Sequence, residues 1–126
     1  IRAAVARNAH ASIVILVRLV EDEDEDVRAA AVRNNQTPWS LVAPLVNDPS
    51  AFVRYAVAWH VQIPADAVSR LAKDTDWIVR LAVAGNSQTP ADVLTRLAED
   101  GEWMVRVAVS VNDHTPPAVL ARLERD

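Results

Sequence analysis

Three kinds of side chain here could carry chemistry: histidine, carboxylate and arginine. Cysteine is absent, which removes disulfides, thiolate metal sites and thiol nucleophiles. Two glycines are too few for a phosphate-cradling loop. The histidines are His10, His60 and His114. A zinc ion needs its nitrogen ligands about 2.0–2.1 Å away. The repeat set out below separates His10 from His114 by four structural units, with His60 midway, so no metal site and no cofactor are expected. Ser87 stands one unit beyond His60 at a neighbouring position. No oxyanion-hole turn and no third group accompany that pair. No catalytic residue is assigned, and the chain is expected not to be an enzyme. The carboxylate pairs Asp74/Asp76 and Asp100/Glu102 fall near helix starts, where the helix dipole accounts for them. The acidic run from Glu21 to Asp26 has two readings. It is a cation site or a patch for a basic partner, or it is a solvated loop entering a helix N-terminus. It lacks the glycine and the spacing of a calcium-binding loop.

The arginines lead to the organisation of the chain. Arg2, Arg28, Arg54, Arg80 and Arg106 recur every 26 residues. Counting positions 1 to 26 from Ile1, Val27, Val53, Val79 and Val105 gives periods 1–26, 27–52, 53–78, 79–104 and 105–126. Position 4 is always Ala, position 19 always Leu and position 22 always Asp: Asp22, Asp48, Asp74, Asp100, Asp126. Position 8 is Asn except at His60, and position 12 is Pro except at Ser12. Equal numbers of Arg and Asp in strict recurrence predict an ion-pair ladder, with Arg28, Arg54, Arg80 and Arg106 set among Asp22, Asp48, Asp74 and Asp100. The rival reading of these arginines is a nucleic-acid groove. A net charge of −4 argues against a polyanion partner.

Each period reads as two helices. Thr37-Pro38, Thr89-Pro90 and Thr115-Pro116 predict an N-cap followed by proline at the first helical position. Asp at position 22 is the predicted cap of the other helix. That helix is rich in β-branched valine and is expected to be short or partly 3₁₀. Asn at position 8 is expected to end it in left-handed geometry. Positions 1, 4, 5, 15, 16 and 19 are apolar in every period and form the expected core. One unit cannot bury its apolar faces alone, so the units should stack. The expectation is a single all-α solenoid domain over residues 1–126, built of five 26-residue two-helix repeats.

From Asp74 to Asp100 the pattern Asp-x4-Val-Arg-x-Ala-Val-Ala-x-Asn-x2-Thr-Pro-x3-Leu-x2-Leu-Ala-x-Asp resembles the leucine-rich repeat variant family. The resemblance implies short units that alternate an α-helix with a 3₁₀-helix in a right-handed superhelix without strands. Some members carry a cysteine-rich segment with an iron–sulfur cluster, which a chain without cysteine cannot hold. The resemblance implies an interaction scaffold and supplies no catalytic residues.

Positions that repeat are set by stacking, while positions that vary are free to read a ligand. Positions 3, 7 and 10 vary and share one stripe of the first helix. The expected partner-binding residues are Tyr55, Trp59, Gln62, Leu81, Gln88, Val107, Val111 and His114. Trp77 and Trp103 recur at position 25 and are read as packing between units. The functional expectation is a non-enzymatic scaffold for a protein or peptide. The alternatives are a nucleic-acid-binding helical repeat and a regulatory segment of a larger enzyme. No run of about 18 apolar residues exists, and no targeting signal is seen. A cytoplasmic protein, cut from a longer chain, is therefore expected.

Overall fold

A computed structural model describes all residues from Ile1 to Asp126. The chain is all-helical, without strands, and its helical repeats are arranged as in a solenoid. It forms two compact units, Ile1–Ile63 and Pro64–Asp126. The boundary falls between the two helices of the third period.

The first unit contains α1 (Arg2–Arg7), α2 (Ile13–Leu19), α3 (Glu25–Arg33), α4 (Trp39–Val42), a 3₁₀ turn (Ala43–Asn47) and α5 (Ala51–Ala58). Here α3 packs between α1 and α5, and α2 lies against α1 and α3. The second unit contains α6 (Ala65–Leu71), α7 (Trp77–Gly85), α8 (Ala91–Leu97), α9 (Trp103–Ser110) and α10 (Pro117–Leu123). In it α7 packs on α9, α6 on α7, and α8 on both α7 and α9.

The 3₁₀ expectation falls in the wrong helix. The valine-rich helices α3, α5, α7 and α9 are regular, because packing overrides a weak propensity. The one 3₁₀ stretch ends the second helix of the second period, where Pro44 lacks the N–H that an α-turn would use.

Both capping expectations also need correction. Pro38, Pro90 and Pro116 are the N-caps themselves, in extended backbone. The threonine before each proline faces backwards. Thr37, Thr89 and Thr115 each donate their hydroxyl at 2.6 Å to the carbonyl of Ala31, Val83 or Val109, near the end of the preceding helix. Position 24 is the N-cap of the other helices, namely Asp24, Ser50, Asp76 and Glu102, and the side chains of the first three accept a first-turn N–H. Position 22 acts one step earlier: Asp22, Asp48, Asp74 and Asp100 each accept the N–H of position 24 at 2.9 Å. A carboxylate two residues before the cap can reach that N–H and still face a guanidinium.

The predicted core is largely buried through the interior periods, with Leu41 and Leu45 of the second period only half-buried. Val53, Val57, Val68, Leu71, Val79, Val83, Leu94 and Leu97 are all buried. Position 6 joins them, with Ala6, Val32, Ala58 and Ala84 buried. The expectation fails in the outermost periods: Ile1, Val5, Ile15 and Leu120 are exposed.

Candidate partner-binding surface

Two polar seams hold successive periods together and fix what the varying positions can do. The first seam is the arginine ladder. Arg28 Nε lies 2.9 Å from Asp48 Oδ2, and Arg80 Nε lies 2.7 Å from Asp100 Oδ2. In both, Nη2 reaches the second carboxylate oxygen, so the pair is bidentate. Nη1 of Arg28, Arg54, Arg80 and Arg106 turns the other way and donates to the backbone carbonyl of Asp22, Asp48, Asp74 and Asp100. Each guanidinium thus joins one period to the next. The outer rungs are looser. Arg2–Asp22 is largely solvated at its arginine, and Arg106–Asp126 opens to 3.5 Å.

The carboxyl groups respond to this setting. A hydrogen bond from the Asp24 N–H holds Asp22 below the usual carboxylate range, helped by Arg2. Burial pushes Asp100 up, but hydrogen bonds from Arg80 and the Glu102 N–H outweigh it, and its value is lowered. The hydrogen bonds that Arg28 and Arg80 donate to Asp48 and Asp100 raise the two guanidinium groups.

The second seam is position 8. Asn8, Asn34 and Asn86 take extended backbone, not the left-handed geometry expected. No residue has a positive φ. Asparagine is used for its side chain instead. Its Oδ1 accepts the N–H of position 10, in His10, Gln36, Gln88 and His114. Its Nδ2 crosses to the preceding period, as when Asn34 donates to the carbonyls of Ala6 and Asn8 at 2.7 and 2.9 Å. Asn112 does the same to Ala84 and Asn86 at 2.8 and 3.0 Å.

Both seams run through one segment that matches a known repeat family. Between Trp77 and Glu102 run the bidentate Arg80–Asp100 rung, Asn86, and the back-bonded Thr89. Residues 77–102 match the family model of the leucine rich repeat variant. The resemblance drawn from the Asp74–Asp100 motif thus stands for this stretch, which is one 26-residue period long. No curated protein and no solved structure matches the chain. Within this stretch Arg80, Asn86, Thr89 and Asp100 are engaged in hydrogen bonds and Leu97 is buried, which leaves the variable stripe as the candidate surface.

In the first unit, Tyr55 is half-buried on α5 and Trp59 follows the helix end with 40% of its surface exposed. Their rings meet edge-on at 6.4 Å between centroids. Gln62 is exposed, and its Oε1 accepts the Trp39 N–H at 3.3 Å. In the second unit, Leu81 is half-buried, while Gln88, Val107, Val111 and His114 are exposed. Val107 lines a groove of about 230 Å³ with Trp103, Arg106, Ser110, Leu123 and Asp126.

Trp77 and Trp103, read as packing between units, keep much of their surface open. They are 39% and 59% exposed. Position 26 beside them is open as well, at Phe52, Ile78 and Met104. Recurrence concealed these residues, because an apolar position that repeats looks like core. The signal that could have found them is Glu25-Asp26, which holds the same two positions in the first turn of α3. A buried position would not tolerate those charges.

The acidic run is partly used by the backbone. Asp22 and Asp24 accept N–H groups two residues on, and the Glu23 carbonyl takes Arg28 Nη1. No three His, Cys, Asp or Glu side chains converge in a metal-holding arrangement. No helix is long and apolar enough to cross a membrane.

Proposed function

We propose that the chain is a non-enzymatic scaffold that binds a protein or peptide along positions 3, 7 and 10. The observation that carries this reading is Trp59. It stands at the end of α5 with 40% of its surface exposed, where the equivalent residues are Arg7, Arg33, Gly85 and Val111. Tyr55 supports one edge of it. An aromatic residue held by a second ring and open to solvent is the usual anchor of an interface. Helical repeats of the leucine rich repeat variant kind often take part in protein interactions, which agrees with this use. The ladder supports a protein partner over a nucleic acid. The guanidinium groups of Arg28 and Arg80 are already engaged by carboxylates and carbonyls, so they offer little to phosphate.

The test is a selection from a displayed peptide library on the whole chain. Binders recovered there should lose at least about tenfold in affinity for a Tyr55→Ala/Trp59→Ala variant, the scale of a hot-spot pair. In a variant whose single indole is Trp59, iodide should quench the fluorescence and a bound peptide should protect it. Binders that keep full affinity for the double variant would refute the surface.

A further inference from the structure

The third period departs from the second seam, and the departure leaves a built cavity. His60 replaces the asparagine of position 8. Its Nδ1 accepts the Gln62 N–H at 3.1 Å, the bond that asparagine Oδ1 makes elsewhere. An N–H can only donate, so Nδ1 is the unprotonated nitrogen. Nε2 therefore carries the hydrogen and donates to the Thr37 carbonyl at 2.8 Å. Trp39 holds the ring from the side, with centroids 5.7 Å apart. Both ring nitrogens are spent. Neither goes to the carbonyls of Val32 and Asn34, which are the counterparts of the Ala6 and Asn8 carbonyls that Asn34 Nδ2 joins. The Asn34 carbonyl accepts only the Thr37 N–H. Val32 is 1% exposed and Asn34 6%. The Val32 carbonyl is thus left without a donor, which is rare for a buried carbonyl, and the Asn34 carbonyl keeps one free lone pair.

A cavity of about 110 Å³ lies at this place, lined by Val32, Asn34, Ala56, Trp59 and His60, with Arg33 at its side. It has room for a group of several heavy atoms.

We infer that this cavity receives a primary carboxamide: the side chain of a glutamine or asparagine in the bound peptide. The chain itself supplies the template. Twice it places one carboxamide nitrogen between two carbonyls of the preceding period, at Asn34 and at Asn112. At His60 the carbonyl pair is presented and the carboxamide is left to the partner. The incoming nitrogen donates to Val32 and Asn34, and its methylene packs on the exposed indole of Trp59. An ammonium group has the donors but would be desolvated beside the Arg33 guanidinium, so the neutral amide is favoured. The assignment of the amide to a peptide rests on the surface reading above; the cavity's preference for a carboxamide does not.

The test is a resonance-shift titration of the whole chain with small probes. Acetamide should shift the Trp59 indole and the Asn34 and His60 signals, saturating in the millimolar range. N,N-dimethylacetamide, which has no donor, and methylammonium should not. His60→Asn should restore the repeat's own carboxamide, keep the helical spectrum and weaken acetamide at least about tenfold. The inference is overturned if acetamide gives no response up to about 100 mM, well past what four heavy atoms should need. It is also overturned if either control probe responds equally, or if His60→Asn binds acetamide undiminished. Should that variant fail to fold, the comparison of acetamide with its dimethyl form on the unaltered chain decides alone. A failed titration with peptides that still depend on Tyr55 and Trp59 removes this site and spares the surface. A positive titration with peptides indifferent to those rings does the reverse.

Discussion

The two polar seams of the repeat have been treated differently. On the arginine seam no side-chain type changes: each period has its Arg and its Asp. On the asparagine seam the third period substitutes His60. The difference follows from what each seam could tolerate. A guanidinium with 14–20% of its side chain exposed, as in Arg28 and Arg80, must keep a carboxylate. A neutral carboxamide can be exchanged for another neutral group, provided the N–H of position 10 keeps an acceptor. His60 Nδ1 meets that condition. Variation is thus confined to the seam where no charge is stranded, and the exposed aromatic pair lies beside it.

The largest effect should come from breaking an inner rung. Arg80→Ala leaves Asp100 half-buried without its bidentate partner and strips a donor from the Asp74 carbonyl. The expected loss is about 3–5 kcal/mol, read as the shift in a urea unfolding midpoint. Arg80→Lys, which keeps the charge but loses the fork, should fall between. Arg2→Ala should barely move the midpoint, because that arginine is 58% exposed. Equal costs at Arg2 and Arg80 would mean that burial does not set the strength of the ladder.

How much of this could be read from the residues alone differs between fold and site. Strict periodicity reports which faces must be apolar, so the interior core was legible at Val53, Val79, Leu71 and Leu97. Periodicity says nothing about which of two adjacent residues is the cap. Thr and Pro at positions 11 and 12 satisfy the same local pattern whether the hydroxyl turns forward or back. Only the carbonyl of Ala31, Val83 or Val109, six residues earlier, decides the direction. In the site, Trp59 was legible because it breaks the repeat. Trp103 and Met104 were not, because they obey it. His60 looked like a plain exception, since its equivalence to asparagine lies in the placement of two ring nitrogens.

A middle-sized effect is expected at those threonines. Thr89→Val keeps the shape of the side chain but removes the hydroxyl from a buried carbonyl, that of Val83. The cost should be about 1–3 kcal/mol. Thr95→Val is the matched control. Its hydroxyl bonds the Ala91 carbonyl inside α8 and is exposed, so the change in the unfolding midpoint should be much smaller. If Thr95→Val costs as much as Thr89→Val, the back-bonded threonine is not a seam element.

The smallest effect is the acid response of the ladder. Asp22 and Asp100 both have lowered values in the folded chain. A carboxyl group whose folded value lies below its unfolded one stabilises the fold at every pH above the unfolded value, about 3.9. That contribution fades as pH falls through the folded value, where the native state must also take up the proton. The guanidinium partners stay charged throughout this range, so the change belongs to the carboxylates. The ladder's share of the stability should therefore be flat from about pH 8 to pH 5 and decline below about pH 4. The comparison is sharpened by Asp100→Asn. It removes one titrating rung, so the variant should start weaker at pH 7 and lose less on acidification. Urea midpoints at pH 7 and pH 3 measure both slopes. Parallel curves for the two proteins would show that Asp100 does not couple protonation to folding, and would leave its tie to Arg80 a matter of hydrogen bonding alone.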